Sequence, residues 1–311
     1  MRTTMPVALS AMIVGLAGLL IWFGNPAVAF LIGAAIAITG GAKGLTDTRT
    51  IGRYSLQTGI VLLGLGIQGE QLLRISSDYT WVVAGYVLCV AALGLLGYRL
   101  LNLPKRQGLL VTAGSAICGG TAVVTLSPII NAKPMETGAV LGLIFTMNAV
   151  ALLTFPAIGQ FLDLSQAQFG IWSALAIHDT ASVVATAQLY GDEAAQIATT
   201  LKLGRTLWLI PTALLLSVIY RRKGRGIGLP PFVLLFVIAS IIGSLISLPP
   251  LVLVSAAWLS KALLVLALFL IGLEISVATL RSIQPRLFVF ATGLWCLVAP
   301  SALFLVMTLV P

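Results

Sequence analysis

The chain has a single histidine, His178, and an aspartate follows it directly in the stretch "AIHDTASVVAT". Apolar residues surround the pair on a segment long enough to be membrane-buried. A charged group at the centre of a bilayer costs about 3 kcal/mol on insertion scales, so such residues face a polar cavity and have partners. Imidazole changes charge near neutral pH. His178 and Asp179 are therefore read as a proton-coupling pair. Downstream, "TTLKLGRTLWLIP" places Lys202 and Arg205 three residues apart and so on one face of a helix. Asp179 would neutralise one of these cations and leave a net positive site. Arginine offers a planar fork for an oxyanion, and lysine a point charge.

Upstream, "SAICGGTAVV" sets two glycines and small hydroxyl residues in the middle of an apolar run. Glycine weakens a helix interior by about 1 kcal/mol relative to alanine. A break there exposes amides at the start of a new half-helix, and such a terminus attracts anions. Within a membrane a break is tolerated only where it is buried in protein or lines a cavity. The residues expected to bind an anion are Ser115, Cys118, Gly119, Gly120, Thr121, Thr180, Ser182, Lys202 and Arg205. Each motif also has a plain structural reading: close helix packing at the glycines, a neutral core histidine, and cations that snorkel to the surface.

The elements that must carry these groups follow from composition. Hydrophobic residues make up 59% of the 311 and charged residues 9%, so the chain cannot supply the polar shell of a soluble protein. Repeated apolar runs of about 20 residues match a hydrocarbon core about 30 Å thick. The fold class is an all-α polytopic membrane protein of about eleven transmembrane helices, with internal, inverted repeats and discontinuous helices. The spans are read as 8–23, 27–42, 54–73, 79–99, 108–131, 137–161, 168–190, 196–220, 231–247, 256–279 and 287–310. With the N-terminus cytoplasmic, inner segments hold thirteen Lys and Arg while the outer loops hold Arg74 and Lys133. The positive-inside rule then leaves the C-terminus outside. "RRKGRG", Arg221 to Gly226, reads as a topology anchor rather than a nucleic-acid patch, since no aromatic platform accompanies it.

Residues 1–311 read as one membrane domain, with the polar interval from Tyr220 to Pro231 as a seam. "LGLGIQGEQLL" (63–73) lines up with "IGLEISVATLR" (271–281) in opposite orientation, a common plan of secondary transporters. "CGGTAVVT" also matches "HDTASVVAT". As simple spans these two copies would run the same way, so an inverted repeat requires re-entrance, which the sequence leaves open. Cys89, Cys118 and Cys296 show no CxxC spacing, so neither a metal site nor any other cofactor is expected. A P-loop pattern is absent, which argues against ATP-driven pumping by this chain alone.

With "VLLGLGIQGEQLL", "GSAICGGTAVVTLSPIINAK", "FGIWSALAIHDTASVVATA" and "ATTLKLGRTLWLIP", the chain resembles the sulfate-exporter family of bacterial membrane proteins typified by YeiH, over essentially its whole length. Where that family usually has glutamate after the histidine, this chain has Asp179. Glu274 likewise replaces a usual small residue. The resemblance implies a multi-pass transporter of the bacterial inner membrane. A more distant likeness to cation–proton antiporter and bile-acid transporter folds implies that the breaks near Gly119–Gly120 and His178–Asp179 face one another.

The leading expectation is a secondary transporter, not an enzyme, that moves a small anion such as sulfate, a related oxyanion or an organic acid. Its partners are that solute, the lipid bilayer and a coupling proton or sodium ion, with homo-oligomerisation left open. A cation/proton antiporter using Asp179 and Glu274 is the alternative. An intramembrane hydrolase, with Ser115, Ser182 or Cys118 as nucleophile and His178 as base, is the remote one.

Overall fold

A computed structural model describes residues 7–39, 48–66, 69–220, 231–246, 248–273 and 283–310. Every secondary-structure element among them is helical. In chain order these are α1 (Val7–Phe23), α2 (Pro26–Ile38), α3 (Thr48–Gly64), α4 (Gly69–Leu100), α5 (Lys105–Ala116), α6 (Gly120–Leu126), α7 (Pro134–Phe161), α8 (Gln166–Ala176), α9 (Thr180–Tyr190), α10 (Asp192–Thr206), α11 (Leu209–Ile219), α12 (Pro231–Leu245), α13 (Pro250–Leu273) and α14 (Pro285–Leu309). The helical polytopic class expected from composition is therefore observed. Among the described residues, five segments are long and apolar enough to cross a membrane: Leu73–Leu100, Pro134–Phe161, Asp192–Ile219, Pro250–Leu273 and Pro285–Leu309.

The chain divides into two compact units, Met1–Leu72 with Pro230–Val277, and Leu73–Leu229 with Ala278–Pro311. The polar interval after Tyr220 contains one of the boundaries. In the first unit α13 packs along α2 and α3 through small residues. A Cβ at Gly33 would strike the carbonyl of Phe269, and one at Gly272 the carbonyl of Phe30. Ser260 Oγ donates to the Gly59 carbonyl at 2.6 Å. In lipid, where burial against a neighbour gains little hydrophobic energy, such close backbone approach supplies the association. The repeat read at 63–73 and 271–281 falls partly on residues 67–68 and 274–281, outside the described residues, and Glu274 lies there too.

The second unit answers the question of re-entrance. Ser165 opens α8 with a capping box: its hydroxyl accepts from the Gln168 amide, and Gln168 Oε1 accepts from the Ser165 amide. The other arm returns to the same place. Tyr190, the last residue of α9, stacks on Phe169 at 3.8 Å and donates its hydroxyl to the Leu164 carbonyl. Gln166 Oε1 accepts from the amides of Glu193 and Ala194. The start of α8 and the end of α9 therefore lie side by side, and residues 166–190 form a hairpin with its tip at Ile177–Asp179.

Residues 105–126 form a second hairpin from the opposite end. Val123 of α6 lies against Gly114 of α5, nine positions back, which only a sharp reversal permits. Ser127 then meets Thr137 at the start of α7. Far along α7, Gly159 lies beside Phe169 and Tyr190 at the base of the first-described hairpin. Since α7 is a continuous 28-residue helix, its two ends mark the two ends of the unit. Lys105 sits over the ring of Tyr220 at 5.7 Å, so the α10–α11 segment also runs from one end to the other. The segments 108–131 and 168–190, read as spans, are thus interrupted at the expected residues and fold back on themselves. Entering from opposite ends, the two matching copies are inverted in direction.

Most basic residues of this unit gather at one end of this axis. Arg99, Lys105, Arg106, Lys133 and Arg286, with Glu136, belong to the Lys105 end, whereas Arg74, Asp163, Asp192 and Glu193 belong to the Gln166 end. Lys133, assigned from sequence to an outer loop with Arg74, lies at the end opposite Arg74, because residues 120–133 return instead of crossing.

Candidate functional site

Each hairpin has a first arm that ends inside the protein, where a helix leaves its last four carbonyls without intrahelical partners. For α8 these are Ser173 to Ala176. Ser173 O accepts from the Ile177 amide. Ala174 O accepts from Lys202 Nζ at 3.4 Å and from Arg205 Nη1 at 2.8 Å, and Leu175 O from Arg205 Nη1 at 2.6 Å. Ala176 O accepts from Trp295 Nε1 at 3.0 Å, and Ile177 O, just beyond, from Lys202 Nζ at 2.6 Å. For α5, Ala113 O and Gly114 O accept from the amides of Ile117 and Gly119. Ser115 O and Ala116 O accept from Nη2 and Nε of Arg205. Every orphan carbonyl of both arms is filled.

Lys202 and Arg205 are both 0% exposed. Expected as contacts for an anion, they instead spend donors on the negative ends of two helix dipoles, where cations are favoured. Arg205 bonds to both hairpins, through carbonyls 115 and 116 on one side and 174 and 175 on the other. Tyr86 of α4 covers its guanidinium, 4.9 Å from ring centroid to Cζ.

The second arms begin at the same level. Asp179 caps α9, accepting from the Ser182 amide at 3.1 Å and from its hydroxyl at 2.7 Å. Asn148, in the middle of α7, donates Nδ2 to Asp179 Oδ2. Its Oδ1 lies 3.1 Å from the His178 amide and 3.2 Å from His178 Nδ1. His178 is 3% exposed, and its ring lies 6.3 Å from that of Trp295. The two tips touch: an added Cβ on Gly119 would come 3.0 Å from Asp179 N. Gly120 lies against Phe145. Among the described residues, the amides of Gly120 and Thr121 at the start of α6 have no acceptor within the protein, and the Thr121 side chain is exposed.

Of the residues expected to form the site, His178, Asp179, Gly119, Ser182, Lys202 and Arg205 converge on the tips. Ser115 takes part through its carbonyl. Cys118 and Thr180 are buried. Asn148, Trp295 and Tyr86 were not anticipated. A lone amide in the apolar run "IFTMNAVALL" was the available signal for Asn148. The aromatic pair carries no such mark. Among the described residues no three His, Cys, Asp or Glu side chains come together to hold a metal.

Trp295→Phe leaves the Ala176 carbonyl without a donor while keeping most of the ring. The expected result is a loss of about 1–2 kcal/mol in stability, read as a lower thermal midpoint in detergent.

The chain matches the family described as Conserved hypothetical protein 698 over residues 3–291. It is 36% identical to a UPF0324 membrane protein of Shewanella oneidensis over 281 residues, 90% of this chain and 89% of that one. It is 37% identical to one of Bdellovibrio bacteriovorus over 290 residues, covering 90% and 88%. To one of Vibrio vulnificus it is 36% identical over 287 residues, covering 91% and 92%. No solved structure matches it. The length and coverage of these matches, together with the helical fold, place the chain in the UPF0324 family of membrane proteins, the YeiH-type family that its motifs resemble.

Proposed function

We propose that this protein is a secondary transporter of a small anion, sulfate or a related oxyanion or organic acid, with the solute taken at the meeting point of the two hairpin tips. One observation carries the reading. Two fully buried cations, Lys202 and Arg205, are bonded to the carbonyl ends of the first arms, and one carboxylate, Asp179, stands at the tip of the α8–α9 hairpin. At the tip of the other, the Gly120 and Thr121 amides and the Thr121 side chain have no hydrogen-bond partner among the described residues. The cations act through their field, because their hydrogen bonds are spent on carbonyls. The amides and the threonine hydroxyl make the direct contacts, and Thr180 and the remaining tip backbone shape the pocket. His178 and Asp179 carry the coupling proton. Half-helices that end at mid-membrane and point at a solute are a recurrent transporter design.

The Lys105 end, with its excess of Lys and Arg, faces the cytoplasm of a bacterial inner membrane, and the chain's C-terminus lies outside. Cation–proton exchange through Asp179 and Glu274 is the less favoured reading, since Lys202 and Arg205 would repel the ion. An intramembrane hydrolase is less favoured again. The Ser182 hydroxyl is paired with Asp179, not with His178.

The test is uptake of labelled sulfate into vesicles holding the purified protein, under an imposed pH gradient, with sodium present or absent. Sulfate uptake that follows the proton gradient, and falls about tenfold in Thr121→Val, is the expected outcome. Sodium or proton flux that ignores the anion overturns it.

A further inference from the structure

The amide of Asn148 can lie only one way round. The backbone N–H of His178 is always a donor, so the atom that faces it at 3.1 Å must be the carbonyl Oδ1. Nδ2 then points at Asp179 Oδ2, which suits a carboxylate. The same Oδ1 lies 3.2 Å from His178 Nδ1. An oxygen acceptor there requires a proton on Nδ1, because a bare Nδ1 would set lone pair against lone pair. In a neutral imidazole the bond made by one nitrogen decides the state of the other. Nε2 is left bare, and among the described residues it has no partner within the protein.

We propose that Asn148 is a positioning residue that holds neutral His178 as the Nδ1–H tautomer and makes Nε2 the atom that accepts and releases the proton at the hairpin junction. The proposal rests on the junction being the solute site and goes beyond it by naming the atom and what orients it. A proton arriving from water binds the Nε2 lone pair and leaves from the same nitrogen, while the Nδ1–H bond to Asn148 persists throughout. The charged groups around the ring are Lys202 and Arg205 on α10 and Asp179 on the same tip. The neighbours from α7 and α14, Asn148 and Trp295, are neutral, and Gly119 of the other tip contributes only backbone.

The chain's lone histidine makes this directly measurable. With ring-15N histidine incorporated, the purified protein in lipid yields one pair of ring nitrogen signals. Above the imidazole titration, the expected spectrum has a protonated Nδ1 and a bare Nε2. Asn148→Leu is expected to move the ring to the Nε2–H form. Asn148→Asp, which shares a proton with Asp179 and still presents an oxygen to His178, is expected to keep the original pattern. A wild-type spectrum with the proton on Nε2 overturns the proposal, as does an Asn148→Leu spectrum identical to wild type. The wild-type measurement stands alone should a variant fail to fold. No solute is present, so failure of the transport reading and failure of this one are separate results.

Discussion

Arg205→Met destabilises the solubilised protein by about 3 kcal/mol or more, and Arg205→Lys does not restore it. The substitution strips donors from Ser115, Ala116 and Leu175, while Ala174 keeps its bond from Lys202. Each buried carbonyl left without a partner costs about 1–3 kcal/mol. The guanidinium no longer has to be desolvated, which offsets part of the loss. Lysine cannot substitute, because one ammonium does not span carbonyls on two hairpins as a planar fork does. Lys202→Met orphans only Ile177 O, since Ala174 O retains Arg205. It should therefore cost clearly less. Thermal unfolding of the three variants side by side checks the order. Equal losses at 202 and 205 would mean that carbonyl pairing is not what these cations supply.

Several features of this site could be read from residues alone, and for a physical reason. Glycines at 119 and 120, and a His-Asp pair at 178 and 179, interrupt otherwise unbroken apolar runs, and few chemistries place them there. The breaks appear at those positions. What Lys202 and Arg205 bind could not be read, since a backbone carbonyl has no residue type and the C-terminal end of a half-helix has no signature of its own. The reversal of each hairpin was hidden too. Segments of the length of 108–131 and 168–190 fit a full crossing as well as a return. Only contacts such as Phe169 with Tyr190, or Gly114 with Val123, separate the two cases. The apparent conflict between two motifs running the same way was a sign of this. It disappears once both segments return to the end they entered, and the basic residues then gather more completely at one end.

Gly119→Ala should be at least as damaging as loss of the arginine, through backbone geometry instead of charge. Gly119 adopts φ 58° and ψ −119°, a conformation essentially confined to glycine. Holding alanine there costs on the order of 1–3 kcal/mol. The new methyl would also stand 3.0 Å from Asp179 N and His178 C, both backbone atoms of the facing tip. Neither can swing away as a flexible side chain would, so the hairpins must separate. Arg205, whose bonds to carbonyls on both arms depend on their spacing, would then lose part of its set. The two losses share partners and should not add. In a double-mutant cycle, Gly119→Ala with Arg205→Met is expected to cost about 1 kcal/mol or more less than the sum of the single changes, within the usual range for residues in contact. Gly138→Ala is the control, because a Cβ there meets nothing within 4 Å. A strictly additive cycle would mean that the glycine and the arginine hold different parts of the fold, and that the tips do not bear on one another.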